Sequence, residues 1–379
     1  MSLSYNIPFL SIMLTLVSGI LVPLIRREGG ALRLIRGVQL GVAGLSALLL
    51  VRLSGAGASF SYPMGHIPAP WGNELRAGPL EALLALTFSV VMLLSLSGGA
   101  EDLRRDVRPD RQGWYCLLMQ LLFGALLAMV YTDDLFTGYV FVEIAAVTAC
   151  IAVAAKESGR SVVAAIRYLI FSCLGSGLVL LGIAMLYCIT GQLLFSGLEE
   201  AVARLVQSGE YSLPLVVSAL LMTLGLSIKS AQFPFHAWLP DAHASATTAS
   251  SAILSGLVLK GYLVLLLKLI LRVFGPALIV STYIDDLLFL LGLTGMLFAS
   301  VAALRQEEVK RMIAYSSSAQ ISYIFLALGL GSEAGWTAAC YQILAHAMTK
   351  SMIFVGAGEM IRASGGHYWG ELRIGRAHV

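Results

Sequence analysis

Ser212-Leu-Pro-Leu-Val-Val-Ser-Ala-Leu-Leu-Met-Thr-Leu-Gly-Leu-Ser-Ile-Lys229 runs directly into Ser230-Ala-Gln-Phe-Pro-Phe-His-Ala-Trp-Leu-Pro-Asp-Ala-His243. The first stretch is apolar enough to enter a bilayer, and it ends on an ammonium. A charged side chain at the centre of a membrane helix costs about 3 kcal/mol on insertion scales, so it is usually kept for function. Pro234 lacks a backbone donor and breaks a helix shortly after the lysine. Discontinuous helices with polar groups near mid-membrane are how many transporters build ion sites. The segment therefore predicts a broken transmembrane helix and translocation of ions or protons.

The rest of the chain fits that reading. It is 58% hydrophobic and only 12% charged, with mean hydropathy +0.83, whereas soluble domains carry about 25% charged residues. An all-α polytopic membrane protein is expected. Stretches long enough to cross a bilayer, about 20 residues each, fall near 7–25, 34–53, 80–98, 113–131, 134–155, 162–190, 213–239, 248–273, 283–304, 312–331 and 335–360. Segment 191–211 sets Glu199, Glu200 and Arg204 against Leu198, Val202 and Leu205, as an amphipathic surface helix does.

Charge in the connecting loops gives an orientation. Arg26, Arg27 and Arg33 follow span 1, and Arg104, Arg105, Arg108 and Arg111 follow span 3. Lys156 and Arg160 follow span 5, and Arg305, Lys310 and Arg311 follow span 9. Even-numbered loops carry mainly acids: Asp133, Asp134, Glu199, Glu200, Asp285, Asp286 and Glu333. Basic loops stay cytoplasmic, so the N-terminus is expected outside and the protein in a prokaryotic inner membrane. No basic n-region precedes the first apolar run, which reads as a span and not a cleaved leader.

Several functions are disfavoured. A net charge of +3 on scattered residues does not suggest nucleic-acid binding. No Walker-type or dinucleotide glycine loop is present, and no cofactor is expected. Cys116, Cys150, Cys173, Cys188 and Cys340 all lie in apolar stretches without a C-x-x-C pair, and read as buried, inert thiols. Gly37-x-x-x-Gly41 has the spacing of a close helix approach, but generic bundle packing is the better reading of it.

The intramembrane charges carry the chemistry. Glu143 lies about nine residues into its span, roughly 14 Å deep, and Lys260 about twelve residues into its own, roughly 18 Å from the opposite side. Lys229 precedes the proline break, and His346 and Lys350 share one helix face four residues apart. Burial disfavours a charged lysine and a neighbouring carboxylate favours it, so a lysine that gains and loses such a partner can take up and release a proton. Glu143 could instead be neutral, or locked to a lysine as a static pair. Lys268, Arg272 and Arg167 lie near span ends and are expected to snorkel to the interface.

The motifs also resemble a family. Lys229-Ser-Ala-Gln-Phe-Pro-Phe-His-Ala-Trp-Leu-Pro-Asp-Ala-His243, with Ser251-Ala-Ile-Leu-Ser-Gly-Leu-Val-Leu-Lys260, is similar to the hallmark segment of antiporter-like membrane subunits. Those occur in respiratory complex I, membrane-bound hydrogenases and formate hydrogenlyases, and Mrp-type cation/proton antiporters. Lys310-Arg-Met-Ile-Ala-Tyr-Ser-Ser317 resembles a second signature, and Ala345-His-Ala-Met-Thr-Lys-Ser-Met-Ile-Phe354 a third. The resemblance runs from about residue 110 to 373. It implies two inverted five-helix repeats, each with one discontinuous helix: N-terminal transmembrane helices within 1–112, a first repeat 113–273 and an incomplete second repeat 282–373. It also implies that Glu143, Lys229, Lys260, His346 and Lys350 pass protons along a mid-membrane row, with His236 and His243 as candidates for loading or for packing the loop.

The implied partners are other membrane subunits, the lipid bilayer, and protons or sodium. Two candidate functions follow: a proton-translocating subunit of a redox-driven complex, or a subunit of an Mrp-type antiporter. A structural subunit with locked charges is the third reading. Lys260 points toward the hydrogenase-like and Mrp D-like branches, because the largest complex I type tends to carry histidine there.

Two departures from the pattern stand out. Ala244-Ser-Ala-Thr-Thr-Ala-Ser250 replaces the family's Ala-Pro-Thr-Pro turn, leaving the entry to span 8 less constrained. Ile374-Gly-Arg-Ala-His-Val379 is what one frame of a common sequencing adapter encodes. Residues 374–379 are therefore expected to be an artefact, with the second broken helix missing beyond them.

Overall fold

The computed structural model of the chain describes residues 3–25, 29–67 and 72–371. Arg26 and Arg27 of the first basic loop and the tract 374–379 lie outside them. Every expected span forms a helix. These are α1 (Leu3–Leu21), α2 (Gly30–Ala56), α3 (Pro79–Gly98), α5 (Pro109–Tyr131), α6 (Leu135–Ala154), α7 (Gly159–Thr190) and α9 (Ser212–Lys229). They continue through a composite span from Thr248 to Ser281, then α14 (Ile284–Leu304), α15 (Val309–Leu328) and α16 (Glu333–Ser364).

Nine helices among the described residues are long and apolar enough to cross a membrane. The two that fall short of that apolarity, α15 and α16, carry Lys310, Arg311, Ser316, Ser317, Ser318, His346 and Lys350. Their hydropathy is low because they hold polar groups against the bundle interior.

Since lipid offers no hydrogen bonds, helix ends need partners from the chain itself. Asp134 accepts from Thr137 N at 2.6 Å to start α6, Ser158 from Ser161 N at 3.1 Å to start α7, and Ser332 from Gly335 N at 3.2 Å to start α16. Such side-chain caps are typically worth about 1 kcal/mol. The expected surface helix forms as α8 (Phe195–Ser208), burying Phe195, Leu198 and Val202.

Three features escaped the sequence reading. A short helix, α4 (Ala100–Asp106), joins α3 to α5. A hairpin pairs β1 (Phe60–Pro63) antiparallel with β2 (Glu74–Ala77), and Leu75 bridges to Thr132. Tyr5 packs against Tyr62 with ring centroids 5.1 Å apart, tying α1 to the hairpin. The third feature is the composite span: α11 (Thr248–Ile253), a π-helical turn Leu254–Val258, α12 (Leu259–Lys268), a second π turn Leu269–Phe274 and α13 (Gly275–Ser281).

The loops rich in arginine share one side of the bundle. Arg108 pairs with Glu157 at 3.6 Å, Lys156 with Asp106 at 2.7 Å and Arg160 with Glu308 at 2.7 Å. The hairpin, the turn at Thr132 and α8 close the other side, where Asp134 bridges to Leu194.

Helices in lipid gain little from hydrophobicity and associate through close packing, which favours small residues. Here α7 and α9 cross at Gly175 and Gly225: a Cβ on Gly225 would lie 2.5 Å from the Gly175 carbonyl oxygen. Gly37 and Gly41, whose spacing alone allowed a close approach, face open space. The cysteine reading also needs correction. Cys116 and Cys150 are buried, but Cys173 and Cys188 are exposed and Cys340 is half-buried, because thiols on spans tolerate lipid as well as protein.

Gly225→Ala should destabilise the protein by about 1–3 kcal/mol through overpacking, whereas Gly37→Ala should stay within about 0.5 kcal/mol. Unfolding of the purified protein in detergent checks both, and equal effects would contradict the assigned crossing.

Candidate functional site

Lys229 ends α9, and the chain then turns through Ser230–Pro234 into a 3₁₀ turn, Phe235–Ala237, and α10 (Trp238–Ser245). Ala231 adopts the left-handed region at φ +56°, unusual for a residue with a Cβ. Neighbouring elements hold it there. Ser318 Oγ donates to the Ala231 carbonyl at 3.1 Å, Gln232 Nε2 donates to Leu291 O at 2.6 Å, and Ser322 Oγ donates to Gln232 Oε1 at 3.0 Å. The break is therefore built into the fold by α14 and α15.

At the break the Lys229 ammonium is fully enclosed. Its Nζ lies 3.0 Å from Glu143 Oε1 and donates to Ser172 Oγ at 3.0 Å. Ser176 donates to the same Glu143 oxygen. Glu143 comes from α6 and the two serines from α7, so three helices converge on one cation. The carboxylate is 32% exposed while the lysine side chain is at 0%. Neither serine was picked out in the sequence; the signal was their four-residue spacing in an apolar span, which puts both hydroxyls on one face.

A second cluster forms around Lys260. The π turn Leu254–Val258 precedes it, and Lys260 donates to the Ser255 carbonyl. Single π turns within α-helices are frequent at functional sites. The Ser255 and Ser317 hydroxyls lie 2.9 Å apart, joining this turn to α15. Lys350 donates to Ser316 Oγ at 2.7 Å. His346 and His243 are buried, and their ring nitrogens have no hydrogen-bond partner among the described residues. The helix that carries His346 and Lys350, α16, packs against the π turn and α12, and Ser251 Oγ donates to the His243 carbonyl at 3.1 Å. His243 stacks on Phe354 with ring centroids 4.3 Å apart, so it belongs to the interior and not to a loop surface.

Two tyrosines separate the clusters. Their hydroxyls, on Tyr168 and Tyr262, lie 3.3 Å apart, and Lys229 Nζ sits 5.6 Å from the Tyr262 ring. Trp238 stacks on Tyr168 at 4.3 Å. His236 stands apart from both clusters, half-buried against Phe233 and Tyr315.

The turn into the composite span is well held despite its missing prolines. Thr247 accepts from Ser250 N at 3.1 Å, Ser250 Oγ donates to Ala152 O at 2.9 Å, and Lys310 Nζ donates to Ala246 O at 3.0 Å. Hydroxyls and a lysine do the work that ring constraint would do.

Lys268 and Arg272 do not snorkel. Lys268 is buried and donates to the carbonyls of Met129, Val130 and Thr132, capping α5. Arg272 pairs with buried Asp133 at 2.7 Å, and both cations lie over the Phe195 ring. The carbonyls of a helix end and an enclosed carboxylate offer these cations more than the interface does. Arg167 is exposed as expected, but it is paired with Asp241.

A polytopic bundle with a discontinuous helix and a lysine–carboxylate pair at its break is the architecture of an antiporter-like membrane subunit. Residues 132–369 match the family described as NADH:quinone oxidoreductase/Mrp antiporter, TM, and the chain belongs to that family. It is 35% identical over 324 residues to NADH-quinone oxidoreductase subunit N of Desulforudis audaxviator (strain MP104C), covering 83% of this chain and 63% of that relative. It is 30% identical over 289 residues to the chloroplastic NAD(P)H-quinone oxidoreductase subunit 5 of Dioscorea elephantipes, covering 75% of this chain and 37% of that one. The chain thus spans less than two thirds of these relatives. Among solved structures, the archaeal respiratory membrane complex called membrane-bound sulfane sulfur reductase superposes over 97% of this chain and 73% of its own, with TM-score 0.85 and 29% identity. The Mrp complex of Dietzia sp. DQ12-45-1b shares the fold over 97% of this chain and 66% of its own, with TM-score 0.86 and 22% identity.

Removing one partner of a buried ion pair typically costs about 3–5 kcal/mol, more than removing both. Arg272→Met or Asp133→Leu alone should each lower stability by that order. The double variant should recover much of the loss, as read by a double-mutant cycle of unfolding free energies. Additive losses would show that the pair is not coupled.

Proposed function

We propose that the chain is a proton-translocating antiporter-like subunit of a redox-driven membrane complex, NADH:quinone oxidoreductase-like or hydrogenase-like. The observation that carries this reading is the enclosed Lys229–Glu143 pair at the helix break. Its work is proton transfer: Glu143 and Lys229 form the entry pair, Lys260 the central site, and His346 and Lys350 the continuation. His243, enclosed beside Lys260, serves in loading or relay, and His236 serves at most at the margin. Tyr168 and Tyr262 lie on the segment between the two clusters. The electron transfer that drives the row belongs to partner subunits.

In this reading 113–273 is the first inverted repeat and 282–373 the start of the second, after the N-terminal helices within 1–112. The side carrying Lys156, Arg160 and Arg311 faces the cytoplasm of a prokaryotic cell, which puts the N-terminus outside. The identity to subunit N and the fold of a respiratory complex favour a redox-driven assembly. The fold of the Mrp complex favours the second reading, a subunit of a sodium/proton antiporter using the same lysines.

In the full-length protein within its complex, Lys229→Ala and Glu143→Ala should each slow proton pumping by roughly 100-fold, the lower range for a positioned proton-transfer group, while assembly survives. Pumping is measured in proteoliposomes supplied with the complex's electron donor. Wild-type rates in both variants would refute the proton path. Activity driven only by a sodium gradient would select the antiporter reading.

A further inference from the structure

At the arginine-rich end of α7 an open cleft of about 410 Å³ has no part in the lysine row. Arg160, Val163 and Arg167 of α7 line it, with Asp241 of α10 and Arg311 of α15. Arg160 Nη2 lies 2.7 Å from Glu308, Arg167 and Arg311 share Asp241, and Arg311 Nε lies 3.4 Å from Glu308. Three guanidiniums facing two carboxylates leave the cleft with an excess positive charge. The side chains of Arg160 and Arg167 are 56% and 60% exposed. Each guanidinium has five donors in a planar fork suited to phosphate, and each of these two uses only one nitrogen on a carboxylate. Glu308 and Asp241 are mostly covered, at 7% and 20%, but the exposed guanidiniums keep free donors on their outer edges for a phosphate.

The surroundings select the kind of phosphate. Arg160 and Arg311 stand in the first turns of α7 and α15, where these helices begin on the arginine-rich side. From there Val163, Ile166, Ile170 and Leu174 run down α7 with their side chains exposed, at helical spacings of three and four. A charged cleft continued by an exposed apolar stripe matches a molecule with an anionic head and acyl chains. Basic pockets between transmembrane helices bind anionic lipid headgroups for this electrostatic reason.

We propose that this cleft is a binding site for an anionic phospholipid, its phosphate held by Arg160, Arg167 and Arg311 and its chains laid along α7. The inference rests on geometry separate from the Glu143–Lys229 pair, and stands whether the chain moves protons or sodium.

Native mass spectrometry of the full-length protein in its complex, released from vesicles of equimolar phosphatidylglycerol and phosphatidylcholine, tests it. Phosphatidylglycerol should be retained preferentially. Arg160→Gln and Arg167→Gln should each weaken that retention about fivefold, the usual effect of one basic residue near a charged membrane surface. Asp241→Asn removes a competing carboxylate and should strengthen it. Circular dichroism and complex assembly confirm that the variants fold. Equal retention of the two lipids, or unchanged retention in the double arginine variant, overturns the proposal. Displacement of phosphatidylglycerol by inorganic phosphate alone reassigns the cleft to a soluble anion. Efficient thiol cross-linking of a Val163→Cys variant to a neighbouring subunit gives the cleft to a protein partner instead.

Discussion

Lys229 is 1% exposed in the middle of a membrane bundle, and much of the architecture around it follows from that one constraint. An ammonium in hydrocarbon is tolerable only beside a counter-charge and enough acceptors. One helix cannot supply these, so α6 brings Glu143 and α7 brings Ser172 and Ser176. For α7 to reach the lysine, its backbone must approach α9 closely, which is why Gly175 and Gly225 meet just before the break. The break itself then needs partners for its loosened backbone, and Ser318 and Gln232 connect it to α15 and α14. Helices α6, α7 and α9 on one side and α14 and α15 on the other therefore meet at the residue that most needs stabilising.

Buried lysines occupy two different settings in this molecule. Lys268 and Lys310 place their donors on backbone carbonyls where α5 and α10 end. Those carbonyls have no intrahelical partner, and a membrane interior offers no bulk water in its place. Lys229 bonds to side chains, Lys350 to the Ser316 hydroxyl and the Ile313 carbonyl, and Lys260 to a carbonyl within its own π turn. A lysine fixed to the end of another helix is structural, while one held by hydroxyls or a carboxylate can exchange partners. Depth in the membrane does not separate these settings, but whether the acceptors are the free carbonyls of another helix's end does.

This difference explains what could be read from the sequence. Long apolar runs predicted each spanning helix, and Lys229 followed by Pro234 predicted the break, because hydropathy and proline act locally. The pairing of Lys229 with Glu143 was one of several open options until the fold packed α7 against both α6 and α9 and brought the two side chains together. Lys268 and Arg272 were misjudged because their position near a span end suggested the interface, whereas Asp133 and the end of α5 lie within reach only in three dimensions. The hairpin escaped notice for a similar reason: Phe60–Pro63 and Glu74–Ala77 are too short to show a period, and they pair over the turn at Thr132. The serines were visible in the sequence, but small hydroxyls in a membrane helix look like packing until a cation is found beside them.

The two ion pairs differ in ways that support the proposed transfer at the centre over a static lock. At one end of the bundle the cation is Arg272, whose guanidinium stays protonated throughout the accessible pH range, and its partner Asp133 is only 3% exposed. That pair can hold helices together but cannot pass a proton. At the break the cation is a lysine, able to exist in both forms when buried, and its carboxylate partner is about a third exposed. A lock would gain from arginine, which offers more donors and a permanent charge. Placing lysine at the helix break and arginine at the closed end assigns the changeable charge to the site where a helix has already been interrupted, and the fixed charge to the site where helices are fastened.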